Sequence, residues 1–218
     1  MRGSRRGALA LLVAAVACDA PTVPGEAPAY DPTALTGGRV YHWPLGRTIA
    51  VHVHASDAGD AAALRAQVLA ASAAWTSALH YAELRVRIVE RPEEADVVVG
   101  LGAAGHPVAL DACGGFGIAA GFTLLCPAAT GDSARTLPLR SGAPGRVKVA
   151  VVVDPAATPT PELRAAVVAH ELGHVFGVGG HSGDAEDLMH VGPRVSWPSA
   201  RDERTLRYVL HRPTALRL

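Results

Sequence analysis

Residues 160–177 read TPELRAAVVAHELGHVFG, and this stretch constrains the chain more than any other. Its start and its stop are both written as helix signals. Thr160 is an N-cap candidate, because its hydroxyl can accept from a backbone N–H that a first turn leaves without a helical partner. Pro161 suits the first helical position, where a missing N–H is no loss, and Glu162 places negative charge at the positive end of the helix. Gly177 is the natural stop, since glycine readily takes the left-handed conformation that follows a last turn. Between these limits Leu163, Val167, His170 and His174 recur at spacings of four, three and four, which predicts one inward stripe.

Two residues of that stripe are imidazoles. His170 and His174 stand one turn apart on the same face and can offer nitrogen to a single ion, half of a tetrahedral zinc site. Glu171, next in the chain, is placed to take a proton from water at such an ion, so the H-E-x-x-H string points to metal-assisted hydrolysis. The competing reading is a pair of satisfied core or surface histidines; the helix signals around the string, found independently of it, weigh against that. A helix that stops three residues past its second His can turn back and deliver a third ligand. His181 is the nearest candidate and Asp184 the fallback.

The longer stretch HELGHVFGVGGHSGDAEDLMH, residues 170–190, resembles the signature of the metzincin zinc peptidases. That signature is H-E-x-x-H-x-x-G-x-x-H followed by a methionine turn, and the likeness is to the matrixin branch. His170, Glu171, His174 and Gly177 match position by position. His181 departs, because the pattern would put the third His at residue 180, which is Gly. Met189 then stands at the matrixin distance from its His, so the simplest account is one inserted residue at Gly179-Gly180, which glycine absorbs with little strain. Some bacterial relatives of the matrixins are similar in carrying a Gly immediately before the third His. Ser199–Leu210 resembles the family's closing helix, and Ser199 and Asp202 have the S-x-x-D spacing of a helix start. Trp43-Pro44-Leu45-Gly46 is similar to its entry segment. The resemblance covers residues 40–218 loosely and 170–210 closely.

What the resemblance implies is an α+β, zincin/metzincin-like fold: a twisted mixed sheet with an active-site helix and a C-terminal helix. It implies a zinc endopeptidase with one catalytic Zn2+ on His170, His174 and His181, and with Glu171 as general base. Met189 would be the methionine turn beneath the metal, Gly177 a structural turn, and His190 and Pro193 part of a substrate-pocket wall. His190 stands where matrixins usually carry Tyr, so no side-chain preference is carried over.

The first residues read as a targeting segment. Arg2, Arg5 and Arg6 precede an apolar run from Ala8 to Ala17, too short to span a bilayer and suited to a secretory core. Ala15-Val16-Ala17-Cys18 resembles a lipobox with Cys18 as the lipidated residue; ordinary cleavage leaving Cys18 unmodified is the alternative. The expected organisation is a lipoprotein signal peptide over 1–17, a Pro/Gly-rich tether over 18–39, and a single matrixin-like peptidase domain over 40–218. Such a chain would be exported and held at the periplasmic or cell-surface side by a lipid anchor at Cys18. Loss of residues 1–17 removes three of the 20 basic residues and none of the 20 acidic ones, leaving a net charge of −3 with His neutral. No basic stripe remains for nucleic acid. The expected partners are protein or peptide substrates and the membrane, with the domain a monomer.

Cys113 and Cys126 form an even pair, which outside the cytosol is expected to close a disulfide. The alternative is a Cys113 thiolate blocking the zinc, as in matrixin propeptides, but that motif precedes the catalytic domain and nothing in 19–40 resembles it. Thr48–His54 alternates as a half-exposed strand with Ile49, Val51 and Val53 on one face. His52 and His54 share the other, as solvent-facing residues or ligands of a second metal. A helix is expected from about Asp60, with Leu64, Val68, Ala71, Trp75 and Leu79 as its apolar stripe. Further strands are expected at 84–89, 95–101 and 147–153. Gly115–Leu125 reads equally as an edge strand that aligns an extended peptide or as a disulfide-stapled loop. Asp111 and Asp132 are calcium candidates without oxygen-ligand spacing to support them. Two rival functions stay open: a catalytically inactive, membrane-anchored zincin-fold binding protein, and a zinc amidase acting on cell-wall peptide.

Overall fold

The computed structural model describes residues 27–118, 120–126, 137–139, 144–145 and 147–215. The expected signal peptide, the lipidation site Cys18 and the calcium candidate Asp132 lie outside the described residues. Among the described residues, eight strands and three α-helices follow in the order β1 (Arg47–His54), α1 (Ala58–Ser77), β2 (Leu84–Val89), β3 (Val97–Leu101), β4 (Gly114–Ile118), β5 (Gly121–Leu125), β6 (Leu137–Pro138), β7 (Pro144–Gly145), β8 (Val149–Val153), α2 (Pro161–Phe176) and α3 (Ala200–Leu210). Six strands make one mixed sheet in the order β2-β1-β3-β8-β5-β4. β2, β1, β3 and β8 are mutually parallel; β5 runs antiparallel to β8, and β4 antiparallel to β5. The fold is the expected α+β arrangement of a mixed sheet with a central and a closing helix.

The two-residue period of the strands sorts their side chains onto two cores. Ile49, Val51, Val97, Val99, Val149, Val151 and Val153 face α1 and α2. Ala50, Val98 and Ala150 face the opposite way, where they meet Val108, Leu139, Val147 and Cys126. The sequence reading of β1 as half exposed is therefore corrected at Ile49-Ala50-Val51, which is buried on both faces. The cause is position: β1 lies between β2 and β3, and the segment after β3 folds back to cover the second face.

The helix signals act as read. Asp57, a few residues earlier than expected, caps α1 through bonds to the N–H groups of Gly59 and Asp60. Thr160 caps α2 by accepting from Leu163 N–H, and Gly177 ends that helix at φ 125°. Ser199 and Asp202 form a reciprocal capping box at the start of α3. The inward stripe of α2 begins later than expected, because Leu163 is 36% exposed. From Ala166 to Phe176 every residue is buried, since the sheet, α1 and the segment after Gly177 enclose the helix. Two indoles grip it: Trp75 Nε1–H donates to Ala169 O at 2.8 Å and Trp43 Nε1–H to Val175 O at 2.9 Å.

Cys113 and Cys126 are disulfide-bonded, which points to an extracytoplasmic location. They bracket the β4–β5 hairpin, one just before it and one just after. Residues 114–118 and 121–125 pair as strands with β4 at the sheet edge, so the segment is a stapled hairpin rather than a loop. Among the described residues no helix is long and apolar enough to cross a membrane. A bridge across a separation of 13 residues restricts the unfolded chain enough to contribute about 3 kcal/mol. Replacing both cysteines by Ala should lower the urea midpoint accordingly, measured by Trp fluorescence; an unchanged midpoint would show that the hairpin is held by its own strand pairing.

Candidate metal centre

His170 and His174 leave α2 toward the segment that follows it, and the turn at Gly177 brings His181 back to meet them. One nitrogen from each of the three lies within 4.8 Å of the others. This is the one group of three or more His, Cys, Asp or Glu among the described residues with that convergence. Asp184, the fallback ligand, points elsewhere: its carboxylate pairs with Arg201 Nη1 at 3.1 Å. His52 is also outside the cluster, its Nδ1 lying 3.2 Å from Val89 O. Asp111 sits in a short 3-10 turn, Leu110–Ala112.

The ring orientations are fixed by backbone. His170 Nδ1 lies 2.8 Å from Leu188 O and His174 Nδ1 lies 2.5 Å from Val178 O. A carbonyl only accepts, so each Nδ1 carries the proton and each neutral ring is left with a bare lone pair on Nε2. Buried His170 Nε2 has no hydrogen-bond partner, and neither does His181 Nε2. Burial also holds the rings neutral, drawing His170 down to about 4 from 6.5, and His174 well below it. Burial and the neighbouring His190 lower His181 as well. Neutral imidazoles with converging lone pairs and carbonyl-bonded far nitrogens are the donor set of a metal ion such as zinc. A carboxylate among them would have favoured protonated rings instead; none is in the cluster.

Glu171, between the two histidines in the chain, lies against β5. Its carboxyl is fully buried, and Thr123 Oγ1–H on β5 donates to its Oε2 at 2.6 Å. Its Oε1 has no hydrogen-bond partner. Gly121, two residues before Thr123, is needed for this approach, since a Cβ there would lie 2.7 Å from Glu171 Oε1. Burial pushes the Glu171 carboxyl up to about 8, partly offset by the Thr123 bond.

Met189 is buried and its sulfur fills the space beside Gly173, where a Cβ would come within 2.4 Å of it. The turn that carries it is held by two buried carboxylates that sequence reasoning did not single out as site residues. Asp202 Oδ2 accepts from Leu188 N–H at 2.8 Å and Ser199 N–H at 2.9 Å. Asp187 accepts from the Ser182 hydroxyl, and from that of Ser199 at 2.6 Å, and pairs with Arg201. The capping-box spacing marked Asp202 as a helix residue, but nothing local signalled its bond to Leu188. Thr123 carried no signal either. His190 is half-buried, with its Nδ1 accepting from Gly192 N–H at 3.2 Å, and Pro193 is buried.

The glycines before His181 are explained differently from the sequence reading. Neither Gly179 nor Gly180 takes the left-handed backbone. They are glycine because there is no room: a Cβ on Gly180 would lie 2.0 Å from Asp31 O, and one on Gly179 2.7 Å from Thr36 Cγ2. Residues 29–39, read as the end of a tether, are packed onto the domain at this point.

The sequence matches no protein-family model and no curated protein. Among solved structures the chain is similar to two of myroilysin, at TM-scores of 0.45 and 0.44 with 15% and 14% identity. These matches cover 79% and 78% of this chain and 96% and 86% of theirs. Metalloproteinase-II from Bacteroides fragilis is similar at a TM-score of 0.37 and 15% identity, over 78% of this chain and 55% of its own.

The raised Glu171 pKa has a consequence for stability. A carboxyl raised above its unfolded value contributes most below that value, and the contribution is lost as pH rises from about 4.5 through about 8. Glu171→Gln should therefore stabilise the metal-free protein at pH 9, by something on the order of a few kcal/mol, and far less at pH 5. Thermal unfolding in chelator at the two pH values reads this directly. An equal effect at both would mean the carboxyl is solvated.

Proposed function

We propose that the chain is a zinc-dependent endopeptidase of metzincin type, similar to the matrixins. The observation that carries this reading is that His170 and His174, on the helix that also carries buried Glu171 and each bonded through Nδ1 to a backbone carbonyl, converge with His181 from the loop that follows. His170, His174 and His181 would hold the ion. A zinc ion there would supply Lewis acidity, polarising a carbonyl and lowering the pKa of water toward about 7.

Glu171 does the proton work. Thr123 occupies one carboxyl oxygen, so the other, Oε1, is the one available to accept a proton from an attacking water. Burial strengthens the carboxyl's hold on a proton, which suits Glu171 to take one from water and return it to a leaving amine. Thr123 also fixes the carboxyl rotamer, so the base needs no reorganisation. Met189 is packing beneath the helix and takes no part in proton transfer. Protein or peptide chains are the proposed substrates. The protein is proposed to act as a monomer outside the cytosol, anchored by lipid at Cys18, without binding nucleic acid.

The test is cleavage of a mixed peptide library by the zinc-loaded protein, with Glu171→Ala as the matched control. The expected result is a set of cuts made by the intact protein and reduced by 10² or more in the variant, which still binds zinc. A folded, zinc-loaded protein that makes no cuts would favour a binding role or hydrolysis of cell-wall peptide instead.

A further inference from the structure

We propose that residues 29–36 form a strap that positions the imidazoles, so that zinc affinity depends on side chains that never touch the metal. This deepens the zinc-site reading and rests on it. The strap is fastened at two ends, and each end reaches a different ligand.

At the first end, Ala29 N–H donates to Thr205 Oγ1 at 3.1 Å and Tyr30 Oη–H donates to Asp202 Oδ1 at 2.7 Å. Asp202 is fully buried and also accepts from Leu188 N–H and, at 3.4 Å, from Met189 N–H. The carbonyl of that same Leu188 receives His170 Nδ1. Tyr30 is thus one link of a chain that runs through Asp202 and Leu188 to a ligand ring. Burial and the Asp202 carboxylate keep its phenol protonated, so the donor is permanent.

At the second end, Leu35 N–H donates to Gly179 O at 2.9 Å, and the backbone of Asp31 fills the space over Gly180. Val178, immediately before this contact, supplies the carbonyl that receives His174 Nδ1, and His181 immediately follows it. Between its ends the strap is braced by itself. The Asp31 carboxylate accepts from Thr33 N–H and hydroxyl, each at 2.8 Å, and Thr36 N–H returns to Thr33 O at 3.0 Å. The loop that carries His181 one residue late is therefore held against a rigid turn rather than left to the freedom of its glycines. Groups that orient metal-ligating histidines from behind typically change metal affinity by about 10–100-fold when removed.

The experiment uses the full chain, stripped of metal and titrated with Zn2+ against a chelating dye, and separately with Co2+ while the visible absorption is recorded. Tyr30→Phe keeps the ring and removes the bond to Asp202. Gly180→Ala drives a methyl into Asp31 O. Gly183→Ala, in the same loop but with nothing within 4 Å of the new Cβ, is the control. The expected result is about a tenfold or greater loss of Zn2+ affinity in Tyr30→Phe and in Gly180→Ala, with an altered Co2+ spectrum, and wild-type behaviour in Gly183→Ala. Wild-type affinity and spectrum in Tyr30→Phe and Gly180→Ala would overturn the strap, as would an equal loss in Gly183→Ala. If Gly180→Ala does not fold, Tyr30→Phe decides alone. A wild-type protein that takes up no zinc would overturn the zinc-site reading and the strap with it, whereas zinc-binding variants identical to wild type would overturn the strap only.

Discussion

The carbonyls of Leu188 and Val178 each receive the Nδ1 proton of an imidazole on α2, and the character of the centre depends on those two bonds. They turn two buried histidines into fixed donors whose remaining lone pairs face inward. Imidazole lone pairs brought together in a buried site repel one another unless a cation lies between them. An arrangement of this kind is stable only around something that accepts them. The rest of the molecule supports that arrangement: Trp43 and Trp75 hold the helix, Asp202 and Asp187 hold the turn behind it, and the segment before β1 closes over the returning loop.

The sheet contributes in a different way. β5 runs over α2 with Gly121 and Thr123 facing Glu171, so one strand both leaves room for the carboxyl and fixes it. The antiparallel turn of β5 against β8 makes this possible, because a fifth parallel strand would need a crossover where the short hairpin now sits. The hairpin is stapled at its open end by Cys113 and Cys126, which holds the β5 register and hence the Thr123 position. Histidines and glutamate on one helix are thus fixed from two sides: the rings by backbone carbonyls of the segment after the helix, and the carboxyl by Thr123 of the sheet.

Much of this was legible in the sequence because it is local. Helix caps at Thr160, Gly177 and Ser199 are decided by residues a few positions apart, and the His170–His174 pair by a single turn. The strand at 84–89 declared itself through alternation, and those within 95–101 and 147–153 through β-branched runs. What the sequence did not show depends on residues far apart in the chain. Thr123 lies 48 residues from Glu171, and Tyr30 lies 172 from Asp202; no periodicity connects either pair. The burial of β1 on both faces depended on a later segment folding back. The glycines at 179 and 180 were visible, but their reason was not: they answer to Asp31 and Pro32, which composition marked as tether.

The most direct measurement is a crystal structure of the zinc-loaded protein with anomalous scattering recorded at the zinc edge. The account predicts a single peak about 2.0–2.1 Å from the Nε2 atoms of His170, His174 and His181, with both Nδ1–carbonyl bonds kept. A peak bound through Nδ1, a ligand from Asp184 in place of His181, or no peak at saturating zinc would contradict it.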